Sequence, residues 1–189
     1  MKTIGIGFIG AGDIADLHAE AINSLSGAKL IGLWNRTFEK GAVKAKKFGC
    51  KTFSSINELL QDVEIDAVFI LTNVETHCEY TLLAAKAGKH ILVEKPAGSN
   101  IEELERMKHA VNKANVKCMP VHNYIYEAGI KRAKTMIESG KLGNITQFYM
   151  MYNIHHADDI RARYPGVIHQ ILTHHSYTML YLAGQPKTI

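Results

Sequence analysis

Three small residues near the start of the chain are spaced so that a ligand could approach the backbone. Gly10, Gly12 and Ala15 lie between an apolar run at 4–9 and a helical pattern, and this strand–turn–helix setting is what gives a glycine fingerprint its meaning. Gly10 would allow a tight turn, Gly12 would admit a pyrophosphate, and Ala15 would let the helix pack closely on the strand. The phosphates would then lie at the positive N-terminal end of the helix. The pattern predicts a dinucleotide-binding turn.

A second stretch with chemical potential, Glu94-Lys95-Pro96, follows the apolar run at 90–93. It places a carboxylate, an amine and a conformationally fixed proline at the end of a predicted strand. Open α/β sheets bind their ligands at the carboxyl ends of the strands. Lys95 by itself would be interpreted as a solvated lysine at a strand end. Together with Glu94 and the glycine turn, it becomes a candidate catalytic residue.

Composition and charge argue against several other classes of protein. The chain has 189 residues, is 47% hydrophobic and carries a net charge of +4, which suits a protein with a proper core. The lysine clusters lie on helical stretches with acids nearby, as solvated helix faces do, so no nucleic-acid partner is expected. The three cysteines form no C-x-x-C pattern, and neither a disulfide framework nor a zinc site is expected.

The N-terminal segment and the hydropathy pattern favour a cytoplasmic protein. The first apolar run is glycine-rich and is soon followed by Asp13, which suits a buried strand and not a signal peptide. No run approaches the ~18 apolar residues that a membrane-spanning helix needs. We therefore expect no membrane partner.

Strand and helix patterns alternate over residues 1–122. Strands are predicted at 4–9, 30–34, around Phe53, 67–71, 90–93 and 116–121. The helix after the glycine turn should bury Ile14, Leu17, Ala21, Ile22 and Leu25, and the helix from 101 should bury Ile101, Leu104, Met107, Val111 and Ala114. Ser99 and Glu102 have the spacing of a capping box. Such alternation predicts an α/β fold with a doubly wound parallel sheet.

Residues 123–189 differ in character. Helices are predicted at 128–139 and 167–182, and the β-prone segment 145–152 is predicted to be a strand. One strand flanked by two helices leaves both strand edges unpaired and cannot close a core. We therefore interpret 123–189 as an incomplete α+β second domain.

Taken together, the motifs resemble the glucose–fructose oxidoreductase / inositol dehydrogenase (Gfo/Idh/MocA) family over nearly the whole chain. The matching segments are GAGDIA (10–15), TNVETH (72–77), AGKHILVEKP (87–96), ESGKLG (138–143) and GVIHQILTH (166–174) with YLAG (181–184). The resemblance implies an N-terminal Rossmann domain and a substrate-binding and oligomerisation domain that in relatives continues into a broad antiparallel sheet. A homo-oligomer is implied for a full-length form.

The resemblance also assigns catalytic roles. In relatives, the lysine of the Glu-Lys-Pro motif hydrogen-bonds the reacting oxygen, and a histidine on the later helix handles the proton; Lys95 and His174 occupy these positions. Relatives commonly carry an aspartate one helical turn before that histidine, where this chain has Gln170. Gln170 can orient an imidazole or bind a sugar hydroxyl, but it cannot stabilise an imidazolium by charge. His174 titrates in the useful pH range, although a partly buried structural histidine is the alternative.

Further cofactor contacts are implied by the resemblance. It places Asn73 and His77 near the nicotinamide ribose, while His77 could instead simply begin a helix. The other expected contacts are Asp13, Ile14, Thr72, Glu94, Lys95 and Asn123.

The residues after the second predicted strand bear on the choice of cofactor. An NAD site usually has an acid there that binds the ribose hydroxyls, whereas this chain has Asn35-Arg36-Thr37 and no acid before Glu39. Asn35 can bind a hydroxyl, and Arg36 and Thr37 could receive a 2′-phosphate. Arg36 could also stack on adenine. We expect NADP(H) to be favoured over NAD(H).

A metal site is the less favoured interpretation of the ten histidines. His169 and His174 are five positions apart, roughly 140° around a helix, so they cannot share a metal as an i, i+4 pair could. The sequence thus predicts an NAD(P)-dependent oxidoreductase acting on a sugar, inositol or related polyol or carbonyl compound, with no metal. The alternatives are a catalytically idle dinucleotide-binding module and a metal-dependent hydrolase.

Overall fold

The computed structural model describes residues 2–153 and 171–188. The chain separates into two compact units, residues 1–121 and 122–189. Gln170, His169 and the beginning of the helix predicted at 167–182 lie outside the described residues. No helix among the described residues is long and apolar enough to cross a membrane.

The first unit contains a six-stranded sheet in which every neighbouring pair is parallel. Its strands are β1 (Ile4–Ile9), β2 (Ala28–Trp34), β3 (Lys51–Thr52), β4 (Ala67–Ile70), β5 (His90–Val93) and β6 (Cys118–Pro120). The order across the sheet is β3-β2-β1-β4-β5-β6, which confirms the doubly wound prediction. The order reverses between β1 and β4, and ligands of such sheets bind at that point, beyond the carboxyl ends of the strands.

Five helices cover the two faces of this sheet: α1 (Ile14–Asn23), α2 (Phe38–Phe48), α3 (Ile56–Gln61), α4 (His77–Lys86) and α5 (Ile101–Ala114). Residues of α1 and α2 pack with Phe8 and Leu33 in one apolar cluster. Residues of α3, α4 and α5 pack with Val68 and Val93 in a second. Burial on both faces explains why the central strands are continuous apolar runs in the sequence.

The buried face of α1 differs from the predicted one. Ala15, Ala19 and Ile22 face the core, while Ile14 is 37% and Leu17 is 62% exposed. The helix follows the tight turn directly and packs its small side chains against the sheet, where Phe8 is fully buried. A close helix–strand approach favours alanine at the contact, whereas the periodicity of large apolar residues points to the wrong face.

The cap of α5 also differs by one position. Asn100, not Ser99, is the N-cap, and its side chain accepts a hydrogen bond from the Glu103 N–H. The Glu103 carboxylate in turn accepts from the Ser99 N–H. Of the residues predicted to be buried in this helix, Ile101 is 78% and Leu104 is 42% exposed, while Met107 and Val111 are buried.

The described part of the second unit is helical. A short 3-10 turn, Asn123–Tyr126, leads into α6 (Ala128–Glu138), and the last helix is α7 (Thr173–Ala183). The strand predicted at 145–152 is wrong, since residues 145–153 form neither strand nor helix. β-propensity reflects how side chains fit beside a neighbouring strand, and the described residues of this unit contain no strand with which the segment could pair.

Candidate functional site

Gly10 is required by the fold itself. Its φ is +104°, a conformation that residues with a Cβ rarely adopt. A Cβ at this position would lie 2.9 Å from both the Leu71 carbonyl oxygen and Thr72 Cγ2. The chain turns here between β1 and α1, and the Gly10 N–H donates to the Trp34 carbonyl at 2.8 Å.

Gly12 is not required by the fold in this way. Its φ lies outside the left-handed region, and the nearest heavy atom to an added Cβ would be the Leu71 carbonyl oxygen at 4.0 Å. Gly12, Asp13 and Ile14 are exposed, and the Asp13 side chain makes no capping hydrogen bond at the start of α1. The turn therefore has open space next to the N-terminus of α1, and the Asp13 side chain does not cap that N-terminus. Such a site suits a pyrophosphate.

Asn35 fastens the glycine turn to the end of β2. Its Oδ1 accepts a hydrogen bond from the Ala11 N–H at 3.1 Å, and its Nδ2 donates to the Thr37 carbonyl at 2.8 Å. Both ends of the amide thus already have partners within the protein. In the structure Asn35 supports the glycine turn. Its contact with a ribose hydroxyl stays a prediction from the sequence.

Arg36 and Thr37 are exposed just beyond β2. Burial raises the pKa of Tyr80 on α4, Glu79 raises it further, and the positive charge of Arg36 lowers it. Arg36 is therefore near enough to Tyr80 for their charges to interact. The exposed cation at the end of β2 is available to an anionic group.

The segment after β4 contains the three predicted cofactor contacts Thr72, Asn73 and His77. His77 is only 1% exposed, and its two ring nitrogens lie 2.9 Å from the carbonyl oxygens of Pro96 and Thr72. The buried ring thus connects the loops after β4 and β5, and the predicted contact of His77 with a cofactor stays a prediction. Asn73, by contrast, is exposed, and Thr72 is half-buried and accepts a hydrogen bond from the Thr76 hydroxyl at 2.7 Å.

Glu94 is a buried carboxylate with two partners. Its Oε1 lies 2.8 Å from His18 Nε2, and its Oε2 accepts from the Lys95 N–H at 3.0 Å. His18 belongs to α1, and its ring contacts the edges of Phe8 and Phe69. The pair ties the helix that carries the glycine turn to the strand end that carries Lys95.

Lys95 lies where β5 ends, at the same edge of the sheet as the glycine turn. The residue is half-buried, and the Lys95–Pro96 peptide bond is cis. Among the described residues, no carboxylate forms an ion pair with the Lys95 amine. The amine is thus not committed to a salt bridge with the described part of the chain.

In the second unit, His174 belongs to a small polar and aromatic cluster. His174 and Tyr177 are each 7% exposed, and the His174 Nδ1 lies 2.6 Å from the Tyr177 hydroxyl oxygen. The same hydroxyl donates to Asn123 Oδ1 at 3.2 Å and accepts from the Tyr124 N–H at 3.2 Å. Asn123 and His174, two residues selected from the sequence, are thereby linked through a tyrosine.

Comparison with known proteins decides the family. Residues 4–122 match the Gfo/Idh/MocA model, described as an oxidoreductase family with an NAD-binding Rossmann fold. The chain belongs to this family. The resemblance seen in the sequence motifs is thereby confirmed.

Several proteins similar to this chain are named as sugar or inositol dehydrogenases and reductases. The chain is 34% identical to glucose-6-phosphate 3-dehydrogenase of Bacillus subtilis (strain 168), over 77% of this chain and 40% of that protein. It is 30% identical to 1,5-anhydro-D-fructose reductase of Ensifer adhaerens, over 93% of this chain and 55% of that protein. The crystal structure of apo scyllo-inositol dehydrogenase from Lactobacillus casei is 31% identical, with a TM-score of 0.71 over 77% of this chain and 44% of that one. The chain thus spans about half the length of these relatives.

Several residues that contact the candidate site residues were missed in the sequence. His18 lies 76 positions from Glu94, so only the strand order brings the two together. Tyr177 is three residues after His174, a spacing that places both on one helix face, and this signal could have been read. Stacked rings of His122 and Tyr124 complete the cluster, but they come from a different segment.

The described residues hold no cluster of three or more His, Cys, Asp or Glu side chains that could bind a metal. Burial raises the pKa of the Cys50 and Cys118 thiols to about 11. Both therefore stay protonated near neutral pH, and protonated thiols are neither nucleophiles nor metal ligands.

Proposed function

We propose that the chain is an NAD(P)-dependent oxidoreductase that transfers a hydride between nicotinamide and a sugar, inositol or related polyol or carbonyl substrate. The observation that carries the proposal is the open space at Gly12, where a helix N-terminus is exposed beside the switch point of the sheet. Membership of the Gfo/Idh/MocA family and the names of its relatives support the reaction and the substrate class.

The glycine turn would hold the pyrophosphate. Gly10 makes the turn, Gly12 leaves room for the phosphates, and the backbone N–H groups at Asp13 and Ile14 donate to them. Asn35 keeps this loop in place through the Ala11 N–H. Asn73 and Thr72 at the end of β4, with Glu94 and Lys95 at the end of β5 and Asn123 in the second unit, are the remaining proposed contacts.

The proposed catalytic residues are Lys95 and His174. When bound, nicotinamide supplies the hydride acceptor or donor. Lys95 donates a hydrogen bond to the reacting oxygen, and His174 takes the hydroxyl proton during oxidation and returns it during reduction. Gln170 would assist as a hydrogen-bonding neighbour. These roles come from the family resemblance and are tested by turnover of Lys95→Ala and His174→Ala with dinucleotide affinity retained.

NADP(H) is the proposed cofactor in preference to NAD(H). Arg36 and Thr37 are exposed after β2, and no acidic residue lies between the end of β2 and Glu39. A guanidinium and a hydroxyl suit a 2′-phosphate, whereas a ribose diol is usually bound by a carboxylate. Titration of the purified chain with NADPH and NADH compares the two directly.

A second candidate is a dinucleotide-binding module without catalysis. It is favoured by Gln170, which stands where relatives commonly carry an aspartate and cannot stabilise an imidazolium by charge. The two candidates are separated by turnover with a panel of inositols, sugars and sugar phosphates at saturating cofactor. Product formation supports the oxidoreductase, whereas cofactor binding without product supports the module.

The cytoplasmic location and the homo-oligomer of a full-length form remain predictions. Cell fractionation tests the location. Light scattering of the purified protein tests the oligomeric state.

A further inference from the structure

The position of the Lys95 amine depends on how firmly the chain is held at the end of β5. A flexible four-carbon stem separates the amine from the backbone. Among residues 2–153 and 171–188, the amine makes no ion pair that would fix it from outside. A misplacement of about 1 Å at a catalytic group can cost about 100-fold in rate. The contacts that hold the Lys95 backbone therefore bear on its proposed role.

The Lys95 N–H is held by the carboxylate of the preceding residue. It donates to Glu94 Oε2 at 3.0 Å, while the Glu94 N–H donates to the Ile70 carbonyl at 3.0 Å, where β4 ends. The Glu94 side chain has several torsions, so a bond between adjacent residues does not by itself fix the carboxylate. A second contact is needed to select one rotamer.

The second contact comes from α1. Glu94 Oε1 lies 2.8 Å from His18 Nε2, and an ionised carboxylate only accepts, so Nε2 is the donor. The His18 ring packs against two phenylalanine rings, with 5.5 Å between centroids for Phe69 and 6.4 Å for Phe8. Only 16% of the His18 side chain and 11% of the Glu94 side chain are exposed, so water competes little for this bond. The carboxylate is thus held by a packed ring on α1.

The two oxygens of Glu94 connect α1 with the Lys95 backbone. The N-terminus of α1 is the proposed site of the pyrophosphate, and His18 lies in the second turn of the same helix. We propose that His18 is a positioning residue for Lys95, which it holds through Glu94 in register with a dinucleotide bound at the glycine turn. The inference rests on the proposed function, because that function gives the Lys95 amine its role towards the reacting oxygen.

Two variants break the connection at different atoms. His18→Phe removes both ring nitrogens and keeps a ring against Phe8 and Phe69. Glu94→Gln replaces one of the two accepting oxygens with an NH₂ group, so the contact with either His18 or the Lys95 N–H is lost. Glu94→Gln keeps the test valid if His18→Phe does not fold.

His90→Phe is the matched control for His18→Phe. His90 is exposed at the opposite end of β5, and its Nδ1 accepts a hydrogen bond from the Lys117 N–H at 3.1 Å. The control therefore makes the same substitution and also loses one hydrogen bond of a histidine, but far along the strand from Lys95.

Lysine labelled with 13C and 15N reports on Lys95 through its backbone N–H and its side-chain Cε, both assigned by their loss in Lys95→Arg. We expect a wild-type Cε signal that stands apart from those of exposed lysines and moves towards them in His18→Phe and Glu94→Gln. A purely structural role for His18 would lower the unfolding temperature and leave this signal of the folded protein in place. Lys95 signals that neither variant moves, or that His90→Phe moves equally, would overturn the inference.

The same samples are titrated with NADPH. A response of Lys95 to His18→Phe without NADPH binding by the wild-type chain would count against the proposed function and leave the positioning of Lys95 intact. NADPH binding with unmoved Lys95 signals would do the reverse. With a substrate that is turned over, His18→Phe should lower kcat about 10- to 100-fold and weaken NADPH binding less, whereas an unchanged kcat would also overturn the inference.

Discussion

Gly10 and Gly12 should respond in opposite ways to the same substitution. Gly10→Ala places a Cβ 2.9 Å from the Leu71 carbonyl oxygen in a backbone with φ +104°. Gly12→Ala places one 4.0 Å from its nearest neighbour, the same carbonyl, in an ordinary conformation. The first change should destabilise the fold, and the second should affect only a ligand.

The sizes of the two effects follow from these contacts. Gly10→Ala should lower the free energy of unfolding by about 1–3 kcal/mol, the cost of a strained backbone position. Gly12→Ala should leave it unchanged or raise it by about 0.4–1 kcal/mol, because alanine restricts the unfolded chain. Loss of one hydrogen bond to a charged phosphate costs about 1.5–3 kcal/mol, so Gly12→Ala should weaken NADPH binding about 10- to 150-fold. Gly12→Val should weaken it at least as much.

Two assays separate the outcomes. Trp34, the one tryptophan of the chain, lies in β2 and reports urea unfolding of the first unit. NADPH fluorescence reports binding. Unchanged NADPH affinity in both Gly12 variants would refute the pyrophosphate assignment. A loss of stability in Gly12→Ala as large as that in Gly10→Ala would refute the claim that Gly12 is dispensable for folding.

Three further predictions concern charge. Arg36→Ala should weaken NADPH binding by about 1.5–3 kcal/mol and leave NADH binding nearly unchanged in parallel titrations; equal losses would instead indicate stacking on adenine. His18→Gln should lower the free energy of unfolding by about 1–3 kcal/mol, because it removes one partner of buried Glu94. In urea unfolding, the loss of stability in the double variant His18→Gln/Glu94→Gln should differ from the sum of the losses in the two single variants. Losses that simply add would show that the two side chains do not interact. Burial lowers the pKa of His122 below its ordinary 6.5, so the unfolded chain binds the proton first and the stability of the second unit should fall as the pH drops below 6.5. His122→Phe, which retains a ring against Tyr177, should flatten that fall in thermal denaturation between about pH 8 and pH 5, and an equally steep profile would contradict this account.

The sheet could be predicted closely because burial on both faces leaves a simple signal. β1 and β5 have the predicted bounds, Ile4–Ile9 and His90–Val93, since each is an apolar run between breakers. The face of α1 could not be predicted from periodicity, because the fold selects small Ala15 and Ala19 for the contact instead of Ile14 and Leu17. Strand formation at 145–152 depends on a partner strand, which a local propensity does not supply.

The candidate site shows the same division between local and non-local information. The glycine turn at Gly10 and Gly12 could be predicted because the conformation of a tight turn depends on a few consecutive residues. The family resemblance places His77 near the cofactor, whereas its contact with the Pro96 carbonyl, 19 positions away, is seen only in the structure. The pairing of His18 with Glu94 depends on the order of the strands, and no local pattern reveals it.

Binding of a nicotinamide dinucleotide at the glycine turn is tested most directly by adding NADPH to the 15N-labelled chain and following its backbone amide signals. The signals of Gly12, Asp13 and Ile14, and those near Arg36, should shift and saturate within about 1 μM to 1 mM, the usual range for enzyme ligands. Shifts confined to other surfaces, or no shift at millimolar NADPH and NADH, would contradict the proposed function.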